Sequence, residues 1–295
     1  MLKKGVAYSI GAYLIWGVFP IYWKQTASVP ALQLIGHRIV WSCLTLLLVV
    51  FCSNGWRALV RGVLRSRVLR LYAVAGALIS INWFAFVWAV NSGLIVEVSL
   101  GYFINPMVSV VLGVLVLRER LRPPQIVAVI LAASGVLYLT VAYGSLPWIA
   151  LTLALSFGSY GLVKKTAPLG SMQGLTVETA LLLPAALLYL LYVDWHGEGA
   201  FLRMNPKTDM LLMGSGVVTT VPLLMFSSGV RRIPLSLVGL LQYISPTMQL
   251  LIGVLKYREP FSRADLIGYS LVWTALLIFG LDGAFASVLG DLYDE

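Results

Sequence analysis

Apolar residues run along this chain in stretches of about twenty, parted by short polar gaps. The stretches fall at 5–23, 31–52, 69–90, 94–117, 124–143, 147–163, 173–193, 210–230, 235–255 and 264–284. A helix of that length crosses about 30 Å of hydrocarbon, so each stretch predicts one membrane-spanning helix. Strict alternation of apolar with polar residues, which a lipid-facing barrel strand needs, is absent. Lipid offers the backbone no hydrogen-bond partner, and without a closed barrel only helices satisfy it. Pro or Gly marks many junctions, at Pro30, Gly93, Pro123-Pro124, Gly144, Pro147, Gly170 and Pro234. The pattern is that of an all-α membrane protein with ten transmembrane helices.

The pattern is also written twice. Tyr102-Phe103-Ile104-Asn105-Pro106 leads into Gly113-Val114-Leu115-Val116-Leu117-Arg118-Glu119. At an offset of 140, Gln242-Tyr243-Ile244-Ser245-Pro246 leads into Gly253-Val254-Leu255-Lys256-Tyr257-Arg258-Glu259 without a gap. Earlier in each half, at an offset of 141, Trp16-Gly17-Val18-Phe19 answers Phe157-Gly158-Ser159-Tyr160, and Lys24 answers Lys165. The halves 1–143 and 144–295 hold five spans each. An odd number of crossings turns the second copy upside down. Two inverted five-helix repeats forming one integrated transport domain are therefore expected, the arrangement of a secondary transporter.

Composition narrows the class further. With 59% apolar and 11% charged residues, the chain lies far from the roughly 25% charge of soluble domains. The net charge of +9 sits in the gaps between apolar runs, which favours membrane orientation over nucleic-acid binding. With the N-terminus inside, fourteen of the twenty-one Lys and Arg fall inside, six outside, and Arg38 lies within a span. Both termini are thus expected in the cytoplasm, with Lys256, Arg258 and Arg263 as exceptions that the repeat explains. Lys3 and Lys4 before an apolar run imitate a signal peptide, but Trp16, Phe19, Tyr22 and Trp23 extend it to a retained first span. Cys43 and Cys52 fall on opposite sides of one helix and read as packing residues. The longest polar connection, 194–209, reads as a solvated loop rather than a lid, and its acidic residues and His196 lack metal-ligand spacing.

Charges inside spans are costly, so each is a candidate for function. His37 and Arg38 lie about 10 Å deep in the second span, and at the offset of 141 His37 answers Glu178. An imidazole and a membrane-embedded carboxylate suit proton coupling, which makes His37 and Glu178 coupling candidates. The competing reading has Arg38 and Glu178 tying helices together by buried polar pairing. Glu97 either gates the outer mouth or caps a helix N-terminus. A cavity for varied amphipathic solutes is expected among Trp16, Asn82, Trp83, Trp88, Asn91, Tyr102 and Asn105, faced by Gln242 and Tyr243. Trp88 and Asn91 equally suit an interfacial belt. Tyr102 and Tyr243 read as lining because each precedes a mid-span proline, Pro106 or Pro246, that frees a carbonyl. Gly113 and Gly253 read as helix-packing positions. Arg118-Glu119 and Arg258-Glu259 read as interfacial anchors or as gate ion pairs.

Several segments together resemble the EamA branch of the drug/metabolite transporter superfamily. They are Ile15-Trp16-Gly17, His37-Arg38, Asn82-Trp83, Trp88-Ala89-Val90-Asn91 and Ser99-Leu100-Gly101-Tyr102-Phe103-Ile104-Asn105-Pro106. Gly144-Ser145-Leu146-Pro147, Thr219-Thr220-Val221-Pro222-Leu223 and Gln242-Tyr243-Ile244 extend the resemblance over nearly the whole chain. It implies ten helices in two inverted repeats around a central cavity, in the bacterial inner membrane. It also implies export of metabolites, amino acids or drugs. Separately, the internal duplication lets a monomer hold a whole pathway, lipid is the expected neighbour, and no cofactor is expected beyond coupling to protons. Against an enzyme stands the absence of Asp-Asp-x-x-Asp, His-Glu-x-x-His, Gly-x-Ser-x-Gly and Walker motifs. A passive channel or facilitator is the alternative, against which the inverted repeat argues.

Overall fold

A computed structural model describes residues 2–53, 55–63, 66–92, 95–144, 147–258 and 263–293. In chain order the helices are α1 (Leu2–Trp23), α2 (Ala31–Cys52), α3 (Trp56–Val63), α4 (Ser66–Asn91), α5 (Ile95–Leu115) and α6 (Pro123–Tyr143). They continue as α7 (Trp148–Thr166), α8 (Ser171–Trp195), α9 (Pro206–Val230), α10 (Leu235–Gln242), α11 (Ile244–Tyr257) and α12 (Arg263–Tyr293). Among the described residues there is no strand. Each predicted apolar run coincides with a helix, except that α10 and α11 share one run. The short α3, which precedes α4, is additional. Among the described residues seven stretches are long and apolar enough to cross a membrane, and shorter apolar stretches lie at Leu100–Leu115 in α5 and Leu266–Asp282 in α12. The α7 helix is not among them, since Ser156, Gly158, Ser159 and Gly161 thin its apolar content and Lys164-Lys165 lie in its last turn. Large apolar side chains such as Phe51, Leu115, Leu188 and Leu255 stay on the outside, as a lipid-facing surface requires.

The division between α10 and α11 has a local cause. Pro246 has no N–H to offer the carbonyl of Gln242, four residues back. The ladder tightens there, with the N–H of Tyr243 bonding the Leu240 carbonyl at 3.2 Å, and then resumes. The equivalent Pro106 leaves α5 unbroken.

Helix pairing is the most telling property of the fold. The extensive contacts join α1 to α9 and α11, α2 to α8 and α9, α4 to α7 and α8, α5 to α7 and α10, and α6 to α12. Every one of these pairs takes one helix from residues 2–143 and the other from residues 148–293. Let α1, α2, α4, α5 and α6 exchange places with α7, α8, α9, α10–α11 and α12. The α1–α9 pair becomes α7–α4, α1–α11 becomes α7–α5, and α2–α9 becomes α8–α4. The α2–α8, α5–α10 and α6–α12 pairs map onto themselves. Side-chain detail follows the same exchange. A methyl group placed on Gly17 of α1 would fall 2.7 Å from Cβ of Met248 on α11, and one on Gly158 of α7 would fall 2.6 Å from Cγ1 of Val108 on α5. Two helices meet closely at both places because neither glycine carries a side chain.

Candidate functional site

Arg38, the eighth residue of α2, meets side chains from both halves. Its guanidinium lies 4.8 Å from the ring of Trp23 on α1 and 4.7 Å from that of Trp83 on α4. Its Nε donates to Oγ1 of Thr219 on α9 at 3.0 Å. The phenols of Tyr22 and Tyr102 stand within electrostatic reach. Helices from both halves thus close around this cation, yet it keeps partial exposure. Among the described residues no carboxylate lies within ion-pair distance of Arg38, and neither Nη1 nor Nη2 finds a protein acceptor. Two aromatic faces and one hydroxyl partly stabilise the charge.

Glu178 of α8 is held differently. Lys164 of α7 donates to its Oε1 at 2.7 Å, and the Tyr160 hydroxyl donates to its Oε2 at 3.0 Å. The side chains of Lys164 and Glu178 are 3% and 1% exposed, so this is a sealed ion pair. Tyr72 and Tyr160 also turn their rings toward the ammonium. Beside Glu178 a void of about 10 Å³ is bordered by Ser42, Trp83, Tyr160, Thr219 and Thr220. That is room for one water at most, next to the otherwise unpartnered Oγ1 of Thr220. Trp83 and Thr219 border both this void and Arg38.

The structure separates several residues that sequence reasoning grouped. His37 does not meet Glu178; it is buried under Phe201, with ring centroids 5.1 Å apart. The 194–209 segment is therefore not wholly solvated. Gln33 of α2 clamps it by donating to the Glu198 carbonyl and accepting from the Ala200 N–H, each at 2.8 Å. Trp16 packs in an aromatic cluster with Tyr13, Phe157 and Phe226 rather than lining a cavity. Tyr243, expected as lining, is fully buried and donates to the Phe103 carbonyl at 3.1 Å. Pro246, expected to free a carbonyl toward a cavity, stands instead just past the α10–α11 junction, which the Tyr243 hydroxyl ties to α5. Asn82 joins α4 to α7 through its Nδ2, which donates to the Leu153 carbonyl and the Ser156 hydroxyl. Trp88 is exposed against Trp148, as an interfacial belt would place it. Asn105 and Gln242 are buried with Oδ1 and Oε1 lacking a partner. The side chains of Asn91 and Glu97 lie outside the described residues.

Lys164, Tyr160, Thr219 and Trp23 were missed as site neighbours. The signal was present for Lys164, because α7 runs to Thr166 and carries Lys164 and Lys165 in its last turn rather than in a loop. Lys165 donates to the Val230 and Ile233 carbonyls and lies 3.9 Å from Glu119. Glu119 accepts from the N–H groups of Leu235 and Ser236 and from the Ser236 hydroxyl, at 2.6, 2.9 and 2.7 Å. A carboxylate from the first half thereby caps α10 of the second, where the helix dipole favours negative charge. Arg231 donates to the carbonyls of Ala167 and Leu169. These bonds stitch one end of the bundle shut. At the other end Lys24, the repeat counterpart of Lys165, lies 3.5 Å from the Tyr257 ring centre. The matching helix ends also share a backbone: Arg118 and Arg258 are both left-handed, with φ of 55° and 56°. Glu259 lies outside the described residues.

The chain matches the EamA-like transporter family twice, over residues 3–141 and 146–281. It is 47% identical over 281 residues to the "Uncharacterized transporter YojE" of Bacillus subtilis, covering 94% of this chain and 93% of that one. It is 43% identical to the "Protein RarD" of Streptomyces exfoliatus, covering 95% and 89%. A solved crystal structure superposes with a TM-score of 0.69 at 17% identity, covering 94% of this chain and 97% of the other, which extends the likeness to the fold.

Proposed function

The chain belongs to the EamA-like transporter family, whose members are membrane transporters, and from that premise we propose that it is a secondary carrier of small organic solutes. It has ten spans, with α10 and α11 forming one and α3 lying outside the count. The halves 1–143 and 144–295 are inverted five-helix repeats of one transport domain. The observation that carries this reading is the helix pairing, which returns to itself when the halves are exchanged. The double family match supports it as well. A fold built this way has two near-equivalent arrangements, one open to each side, which is the requirement of alternating access. The bonds of Glu119, Lys165 and Arg231 support an arrangement in which one end is closed.

The carrier sits in the bacterial inner membrane with both termini in the cytoplasm, a placement that the distribution of Lys and Arg supports. On that orientation the stitched end is cytoplasmic, and the direction of transport is outward, for metabolites, amino acids or drugs. Glu178 serves to join α7 and α8, and Arg38, with Trp83 beside it, faces the solute.

Counterflow tests the reading. Purified protein in proteoliposomes preloaded with an unlabelled solute accelerates entry of the same labelled solute if it is a carrier. A passive channel gives uptake that internal solute leaves unaccelerated, and that result would overturn the proposal.

A further inference from the structure

We propose that the solute carries a carboxylate and that Arg38 recognises it. The inference rests on the carrier reading above and adds the chemical class of the cargo. Three observations converge on it. Arg38 is a cation about a third of the way along a span, without a carboxylate partner among the described residues. Its two terminal nitrogens have no protein acceptor, while Nε is anchored on Thr219. The guanidinium lies over the rings of Trp23 and Trp83, at 4.8 and 4.7 Å, and these contacts with the Nε anchor restrict the direction of its fork before any ligand arrives.

An unneutralised charge at this depth destabilises the protein unless something else completes it. A guanidinium fork and a carboxylate match in plane and spacing, with two parallel N–H···O bonds. The count of charges selects a monoanion. Among the described residues Lys164, buried in the last turn of α7, is already neutralised by Glu178 at 2.7 Å. A phosphate dianion would therefore meet only one cation and remain half compensated. A solute that carries an ammonium instead would be repelled by Arg38. The rings of Trp23 and Trp83, with Tyr22 and Tyr102 nearby, offer an apolar surround for the body that bears the carboxylate.

The test uses full-length protein in detergent and four probes of one shape: phenylacetate, its neutral amide, phenethylamine and phenyl phosphate. Thermal unfolding is followed against probe concentration at constant ionic strength. Phenylacetate should raise Tm in a saturable way, and the amide and the amine should not. Arg38→Gln should keep its unliganded Tm and weaken phenylacetate by about 30-fold or more, the scale of truncating one member of a buried charge pair. Arg38→Lys should fall between the two, since an ammonium lacks the fork. If Arg38→Gln fails to fold, the wild-type ranking alone decides. Stabilisation by the amide or amine equal to that by phenylacetate, preference for phenyl phosphate, or no response to any anion at millimolar concentration would each overturn the inference. Probes that bind then enter the counterflow assay. Binding of phenylacetate without counterflow breaks the carrier reading and leaves the anion site standing; counterflow of neutral solutes alone does the reverse.

Discussion

The second helix of each half carries a charge within one residue of the same repeat position, Arg38 on α2 and Glu178 on α8, and the two are treated in opposite ways. At the offset of 141, His37-Arg38 on α2 answers Glu178-Thr179 on α8. Glu178 is neutralised by Lys164, bonded by Tyr160 and sealed from solvent. Arg38 has two aromatic faces, one threonine and partial exposure. A buried ion pair that satisfies itself has nothing left for a ligand, and its worth is in holding two helices together. A cation left incomplete adds little to holding the fold and keeps its donors available. The contrast separates a structural charge from a recognising one without reference to either residue's chemistry in isolation.

Breaking the sealed pair should have the largest effect. Glu178→Ala strands the Lys164 ammonium in the interior and should cost about 3–5 kcal/mol, read as a fall in Tm. Replacing both partners with leucine should recover most of that loss, because no charge is then left unpaired. A double variant as unstable as the single would mean that the pair is not the reason for the cost. Tyr160→Phe keeps the ion pair and removes one hydrogen bond to the carboxylate, which should cost about 1.5–3 kcal/mol in the same measurement. On the other side of the comparison, Thr219→Val should lower stability by about 1 kcal/mol or less. It should weaken any Arg38-dependent ligand severalfold, since the fork loses its anchor; titration of Tm against phenylacetate reads both. Arg38→Gln should leave the unliganded Tm at or above that of the wild type while counterflow is lost, the pattern of a group kept for function at the expense of stability. A large fall in Tm would put Arg38 beside Glu178 as a structural charge.

How much of this was legible in the chain depends on what kind of information each feature needs. The spans required only local content, and the ten apolar runs locate the long helices within a few residues, except that α12 continues nine residues past its run. Helix α3 was missed because eight residues make too short a run to register. The division at Tyr243 was missed because Pro106, in the same motif, is tolerated inside α5; sequence alone does not distinguish the two settings. Arg38 and Glu178 were visible as charges in apolar runs. Their partners were not, because partnership depends on which helices lie side by side. His37 and Glu178 are repeat-equivalent, a relation that concerns their depth in the bilayer. Equivalence relates two residues by symmetry and does not bring them into contact. Lys164 was hidden by an end placed three residues early, which turned a buried partner of Glu178 into a loop charge.

The interleaving of the halves has a consequence for how the protein is made. The main neighbours of α1, α2, α4, α5 and α6 all lie in the second half. While the ribosome is still translating that half, five helices stand in the bilayer with Arg38, Gln33 and Asn82 lacking the groups that later receive them. The Glu119 carboxylate waits likewise for the first turn of α10, more than a hundred residues downstream. Assembly is therefore delayed until the last third of the chain has been inserted, and during that interval the nascent first half depends on the insertion machinery to keep its polar groups out of lipid.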